Sequence, residues 1–331
     1  FSHFFLPPTL CTKYIFSSPP RQTFGIDFHI REIPHQGSTD PLILLAGVRE
    51  AVARRRREAE SETGHREQGG RGGESGAADG RAPPPPPPPL YTHEEAFALL
   101  KEAERAMTSF YELAATDAAV AAEGLSLLPG VEALLGNLAG RRGVVQGLVT
   151  GNLQPIGWRK VETLGVAHFF DAIVSNGEGG EGDRREGGGE GEEEAEEEGS
   201  TRSKATRRVG GFGSDFCSAD EGAIDEPWRD RARFVEIAAE RALRTAAAAD
   251  AAAASASSSS FPSSSPPVVA RKVHVGDTPH DLRAAAAAGA LPVGVATGIF
   301  SREELVAAGA PRAVILDDLS DLEASLRAMG F

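Results

Sequence analysis

Val273-His274-Val275-Gly276-Asp277-Thr278-Pro279-His280-Asp281 is the stretch whose reading decides the fold. A short β-branched run gives way to Gly-Asp, and then to Thr-Pro, the pattern of a helix start with proline in its first turn. Asp277 falls where the strand ends, a place where an acid costs stability unless it is used. It is therefore a candidate ligand for a hard cation such as Mg2+. Asp281, one helical turn later, either orients the groups around that ion or binds it too. Thr278-x-x-Asp281 also satisfies a capping box, so a purely capping role for Asp281 stays open. His280 reads as an exposed first-turn residue.

Working outward, further short apolar runs at 143–149, 172–174, 293–296 and 313–316 alternate with helical patterns at 131–139, 153–164, 229–244, 281–288, 302–308 and 319–329. Short apolar strands alternating with amphipathic helices predict an α/β fold, a parallel sheet covered on both faces. In such sheets ligands bind beyond the carboxyl ends of the strands. The run ending at Val149 is followed by Thr150, Gly151 and Asn152, then by a helix with Pro155 in its first turn. A hydroxyl, free backbone N–H groups and a helix start can converge on one anion. A tight turn capped by Thr150 or Asn152 reads equally well.

Before these strands the pattern is helical. Residues 40–53 carry Leu42, Leu45, Val48 and Val52 on one face. Thr92 and Glu95 form a capping box ahead of a helix with Phe97, Leu100, Met107 and Phe110 as its buried stripe, and a third helical stretch follows at 115–123. Three biased segments interrupt the order: 54–89, which ends in seven prolines; the Gly/Glu-rich 177–207; and the Ala/Ser-rich 246–267. None of them can bury enough apolar surface to offset chain entropy, so each is expected to be disordered. The proline run would also suit an SH3-type groove, although a linker is the simpler reading.

The net charge of −14 is mostly local. Between Gly177 and Ser200 eleven acids face two arginines, a balance of −9 that leaves −5 elsewhere. That excludes a basic nucleic-acid footprint. No apolar stretch approaches the roughly 18 residues of a membrane span, so no membrane contact is expected. Two cysteines, Cys11 and Cys217, give neither a disulfide framework nor a metal knot, which suits a reducing compartment. The expected location is cytoplasmic. A plastid or another organelle is the alternative, because residues 1–26 are acid-free and contain serine until Asp27. Oligomeric state is not legible.

Gly147–Ile156 (Gly-Leu-Val-Thr-Gly-Asn-Leu-Gln-Pro-Ile) resembles the second signature of haloacid dehalogenase-like hydrolases, and Val273–Asp281 resembles their fourth, a strand followed by G-D-x-x-x-D. Ala290–Gly298 and, upstream, Gly37-Ser38-Thr39-Asp40-Pro41-Leu42-Ile43 are similar to the phosphoglycolate phosphatase-like branch. The resemblance covers about 36–58, 91–177, 208–244 and 268–331. It implies a Rossmann-like parallel sheet core over 126–331, a helical cap domain over 36–125, and the three disordered insertions, with 1–35 unassigned.

It also implies phosphoryl transfer to an Asp carboxylate followed by hydrolysis of the aspartyl-phosphate, with Mg2+ as cofactor and a small phosphorylated metabolite as substrate. Carried over, Thr150 binds a phosphoryl oxygen, Gly151 and Asn152 lend backbone N–H groups, and Asp277 and Asp281 hold the metal. For the required cation Arg231 is preferred, with Arg229 and Arg233 as neighbours. Lys160 sits roughly 12 Å along its helix from Thr150 and is expected to point away. Ser38 stands where the family has a basic residue, which argues against a small dianion such as 2-phosphoglycolate.

One family element is missing. No D-x-D-G-T, the family's nucleophile motif, occurs in the sequence. The nearest imitation is Asp27 in Phe24–His29, but His29 fills the position of the second Asp, and only ten residues separate Asp27 from Gly37. The first strand and nucleophile are expected upstream, in a chain whose first residue is not Met, and the 331 residues are expected to lack phosphatase activity. The alternative is a non-catalytic protein on the same fold that binds a phosphorylated ligand or partner; a third reading makes the biased tracts interaction segments.

Overall fold

The computed structural model describes residues 38–47, 50, 57, 93–114, 125–172, 207–218, 220–256 and 271–331. Within them seven strands and their helices form an α/β architecture of parallel strands. β1 (Leu148–Thr150) pairs in parallel with β4 (Gly210–Phe212). β5 (Val273–Gly276), β6 (Leu291–Val295) and β7 (Val314–Leu316) form a three-stranded parallel sheet in that order. A short antiparallel pair, β2 (Asp171–Ala172) with β3 (Arg207–Arg208), completes the set.

The sequence leads to one parallel sheet, whereas the structure has two. Among the described residues β1 and β5 are each hydrogen-bonded along one edge only, and no ladder joins them. A common core ties them instead: Leu148 and Phe212 from one sheet and Val275, Val293 and Val295 from the other belong to a single buried cluster. The Val131–Ala139 helix covers that cluster with Val131, Leu134, Leu135 and Leu138, the i, i+3, i+4, i+7 stripe of an amphipathic helix. Its entry requires Gly130, which has φ 81° and would place a Cβ 1.8 Å from the carbonyl oxygen of Leu319.

On the opposite face the Trp228–Ala256 helix packs along Pro279–Ala287 and over β1 and β4. Ala284, Ala285 and Ala288 let the two helices approach closely around Phe234 and Val235. The long helix runs eleven residues into the 246–267 segment expected to be disordered. Alanine is the strongest helix former, so that part of the run extends the helix rather than breaking it. Likewise Arg207, assigned to the Gly/Glu-rich insertion, lies in β3.

Neither β3 nor β4 was expected from the sequence. Gly-Gly-Phe has little strand propensity, but a Cβ on Gly211 would sit 2.0 Å from the Phe234 carbonyl oxygen, so only a bare backbone fits beneath the helix. Residues 40–47 are helical, with Leu42 and Leu45 buried as expected and Ile43 and Leu44 buried beside them, while Val48 and Val52 of the expected stripe lie outside the described residues. Leu100 and Met107 of His93–Ala114 are buried as expected; the side chains of Phe97 and Phe110, together with 115–123 and most of the biased segments, lie outside the described residues.

Candidate functional site

Asp277 and Asp281 come together at the carboxyl end of β5, both almost fully buried. Thr278 is the N-cap of Pro279–Ala287. Its hydroxyl accepts the Asp281 N–H at 3.1 Å and donates to Asp281 Oδ2 at 2.8 Å, and that oxygen also accepts the Thr278 N–H at 3.2 Å. The capping box inferred from the sequence therefore exists. Gly276 makes room for it, since a Cβ there would lie 2.3 Å from Asp281 Cβ. The other Asp281 oxygen accepts Arg231 Nη1 at 2.5 Å, so both carboxylate oxygens are engaged within the protein.

Asp277 sits differently. Burial first, and the Asp281 charge second, push its carboxyl up to about 7, with Arg231 pulling the other way. Its Oδ2 rests against the backbone of Gly298, where a Cβ would come within 2.3 Å. His274, one turn of the pleat earlier on β5, is buried with Nε2 3.8 Å from Asp281 Oδ1, and burial holds its imidazole below the ordinary value. His280 is half-buried with an enclosed Nδ1, not exposed as expected.

Arg231 is 2% exposed, the largest of the fully buried side chains. Besides Asp281 it donates through Nη2 to the Ser38 carbonyl at 3.2 Å, so it spans from the end of β5 to the segment 38–40. Arg229 and Arg233 instead form exposed ion pairs, with Glu226 and with Glu236 and Glu240.

Segment 38–40 is docked on the loop after β1. The Asp40 N–H donates to the Gly151 carbonyl at 2.9 Å, and a Cβ on Gly151 would meet the Ser38 oxygen at 2.9 Å. Thr150 is buried, and its Oγ1 accepts the Asn152 N–H at 3.2 Å, which leaves the hydroxyl hydrogen to donate elsewhere. Asn152 Nδ2 donates to both Asp40 oxygens at 3.2 Å, and the Leu153 N–H donates to Asp40 Oδ2 at 3.0 Å. Burial raises the Asp40 carboxyl, with Lys160 opposing.

Lys160 corrects the sequence expectation. Its Nζ donates to Asn152 Oδ1 at 2.9 Å and so reaches the loop it was thought to face away from. The helical rise was counted correctly, but a long side chain leans back toward the N-terminus of its helix and recovers most of the distance. Asp40, separated from its partners by more than a hundred residues, carried no local signal beyond its place in the Gly37–Ile43 motif. Gly298, against Asp277 Oδ2, belongs to the Ala290–Gly298 stretch that carries part of the resemblance, and its place after β6 follows the strand-end rule.

Chemically, the arrangement offers a buried carboxyl that burial and a neighbouring charge raise, a hydroxyl with a hydrogen to donate, and the positive charges of Arg231 and Lys160. The donors fit the protein's share of a hard divalent site. Such an ion takes one or two carboxylates and completes its shell with water and ligand oxygens, and it would relieve the burial and repulsion that raise Asp277. Asp277 would contact it, with Asp281 acting from behind. No group of three or more His, Cys, Asp or Glu side chains able to hold a metal occurs among the described residues.

A family model described as HAD-hyrolase-like matches residues 239–322, which include β5, the Asp277–Asp281 turn and β6. This supports a place in the haloacid dehalogenase-like superfamily. No curated protein matches the chain. No described helix is long and apolar enough to cross a membrane.

Proposed function

We propose that this cluster is the phosphoryl site of a Mg2+-dependent phosphomonoester hydrolase-type protein that takes a small phosphorylated metabolite. One observation carries the reading: buried Arg231 links the acid turn after β5 to the segment seated on the loop after β1, which supports treating the Asp277 carboxyl and the Thr150 hydroxyl as parts of one site. Bound Mg2+ would neutralise charge developing on phosphoryl oxygens. Asp277 holds that ion, and Asp281 holds Arg231 in place. The Thr150 hydroxyl, oriented by the Asn152 N–H, donates to a phosphoryl oxygen, and Lys160 adds a positive charge.

Covalent phosphoryl transfer needs a nucleophile, and these 331 residues contain no D-x-D-G-T. The chain itself is therefore expected to bind without turnover, which keeps the non-catalytic phospholigand-binding reading as the second possibility. Calorimetry with inorganic phosphate should give binding that requires both Mg2+ and Asp277. Absence of phosphate binding at millimolar concentrations with Mg2+ present would sink the proposal. Mg2+-dependent hydrolysis of p-nitrophenyl phosphate that is lost in Asp277→Asn would show that turnover does occur.

A further inference from the structure

We infer that Asp40 is a positioning residue that fixes the two phosphate-facing groups on either side of the loop after β1, the Thr150 hydroxyl and the Lys160 ammonium, acting through Asn152. The inference rests on the phosphoryl-site reading above and adds a residue to it. Ionised, the form that Lys160, the Leu153 N–H and the Asn152 amide favour against burial, the Asp40 carboxylate can only accept, so it selects the Nδ2 side of the Asn152 amide, and it takes that group at both oxygens. The amide oxygen is then turned the opposite way, onto the Lys160 ammonium. A flipped amide would set its oxygen against the carboxylate and its N–H groups against the ammonium, so the carboxylate–amide–ammonium order has one orientation. The Asn152 backbone N–H meanwhile fixes the Thr150 hydroxyl as an acceptor on that side, and the Leu153 N–H anchors the same loop to Asp40 Oδ2. One carboxylate thus sets the Thr150 hydroxyl and the Lys160 charge together.

The sign of one effect tests this. Removing a negative charge beside an anion site should by itself tighten phosphate binding. A positioning role predicts the reverse: in the full chain with Mg2+, Asp40→Asn should bind inorganic phosphate about tenfold more weakly, the scale of one well-placed hydrogen bond. Lys160→Met should weaken it similarly, and the double variant no further. Equal or tighter binding by Asp40→Asn, with an unchanged melting temperature, overturns the inference.

A second readout works without phosphate. Brief acetylation with acetic anhydride, read by mass spectrometry, should label Lys160 severalfold faster in Asp40→Asn and in Asn152→Leu, with Lys272 as the internal reference. Unchanged Lys160 labelling in both variants likewise overturns it. If the wild-type chain binds no phosphate, the phosphoryl-site reading fails, and this labelling alone decides whether Asp40 sets Lys160.

Discussion

At the scale of single residues, the metal side of the chemistry turns on the raised Asp277 carboxyl and the buried Arg231 guanidinium. A carboxyl that holds its proton more tightly folded than unfolded contributes stability that is complete below its unfolded value of 3.8 and is lost as pH rises toward about 7. At about 1.4 kcal/mol per pKa unit, the loss is on the order of a few kcal/mol. Thermal melts should therefore fall between pH 4 and 7, and Mg2+ should restore more stability at pH 8 than at pH 5. Asp277→Asn should reduce both dependences without abolishing the first, because burial raises Asp40 in the same direction; an unchanged pH slope in that variant would place its origin elsewhere. Arg231 poses the opposite problem. Removing it strands Asp281 as an uncompensated buried charge, so Arg231→Met should cost about 3–5 kcal/mol in urea unfolding, and much of that should return when Asp281 is replaced by Asn in the same chain.

At the scale of elements, the legible parts are those whose signals are local. The strand, Gly-Asp and Thr-Pro of 273–281 each constrain their own backbone, so β5, the turn and the helix start follow from the sequence alone, as does the capping box. Thr278→Ala should cost about 1 kcal/mol for the lost cap, and Thr278→Ser should recover most of it in the same urea titration. A full loss in the Ser variant would show that the methyl group, not the hydroxyl, matters. Elements fixed by distant neighbours were not legible. β4 forms because its glycines fit under Phe234 of a helix more than twenty residues away, and nothing in Gly-Gly-Phe announces that. The helix through 246–256 is hidden for the converse reason: an alanine-rich run reads as low complexity, although alanine's helix propensity is the highest of any residue. Of the candidate site, the positions of Thr150 and Asp277 at strand ends and of Asp281 in the following helical turn were legible, whereas Asp40 and Lys160 enter only through side chains whose reach depends on the folded chain.

At the scale of the whole molecule, the question is what makes one unit of two sheets that share no ladder. The common apolar cluster spans both sheets, alongside the long helix that covers β1 and β4 and packs on Pro279–Ala287, and Phe212 is one of its fully buried members. Its ring meets Trp158 edge-on at 5.0 Å between centroids, on the β1–β4 side, while the cluster continues to Val275, Val293 and Val295 on the other. The site depends on this junction, because Thr150 ends a strand of one sheet and Asp277 follows a strand of the other. Phe212→Ala should cost about 3–5 kcal/mol by cavity formation. If the cluster couples the sheets, Trp158 fluorescence and amide exchange in β5 and β6 should report the same lowered midpoint in that variant. Separate midpoints, with β5 and β6 unaffected, would mean that the sheets unfold independently and that Arg231, bridging Asp281 to Ser38, holds the two halves of the site together without help from the core.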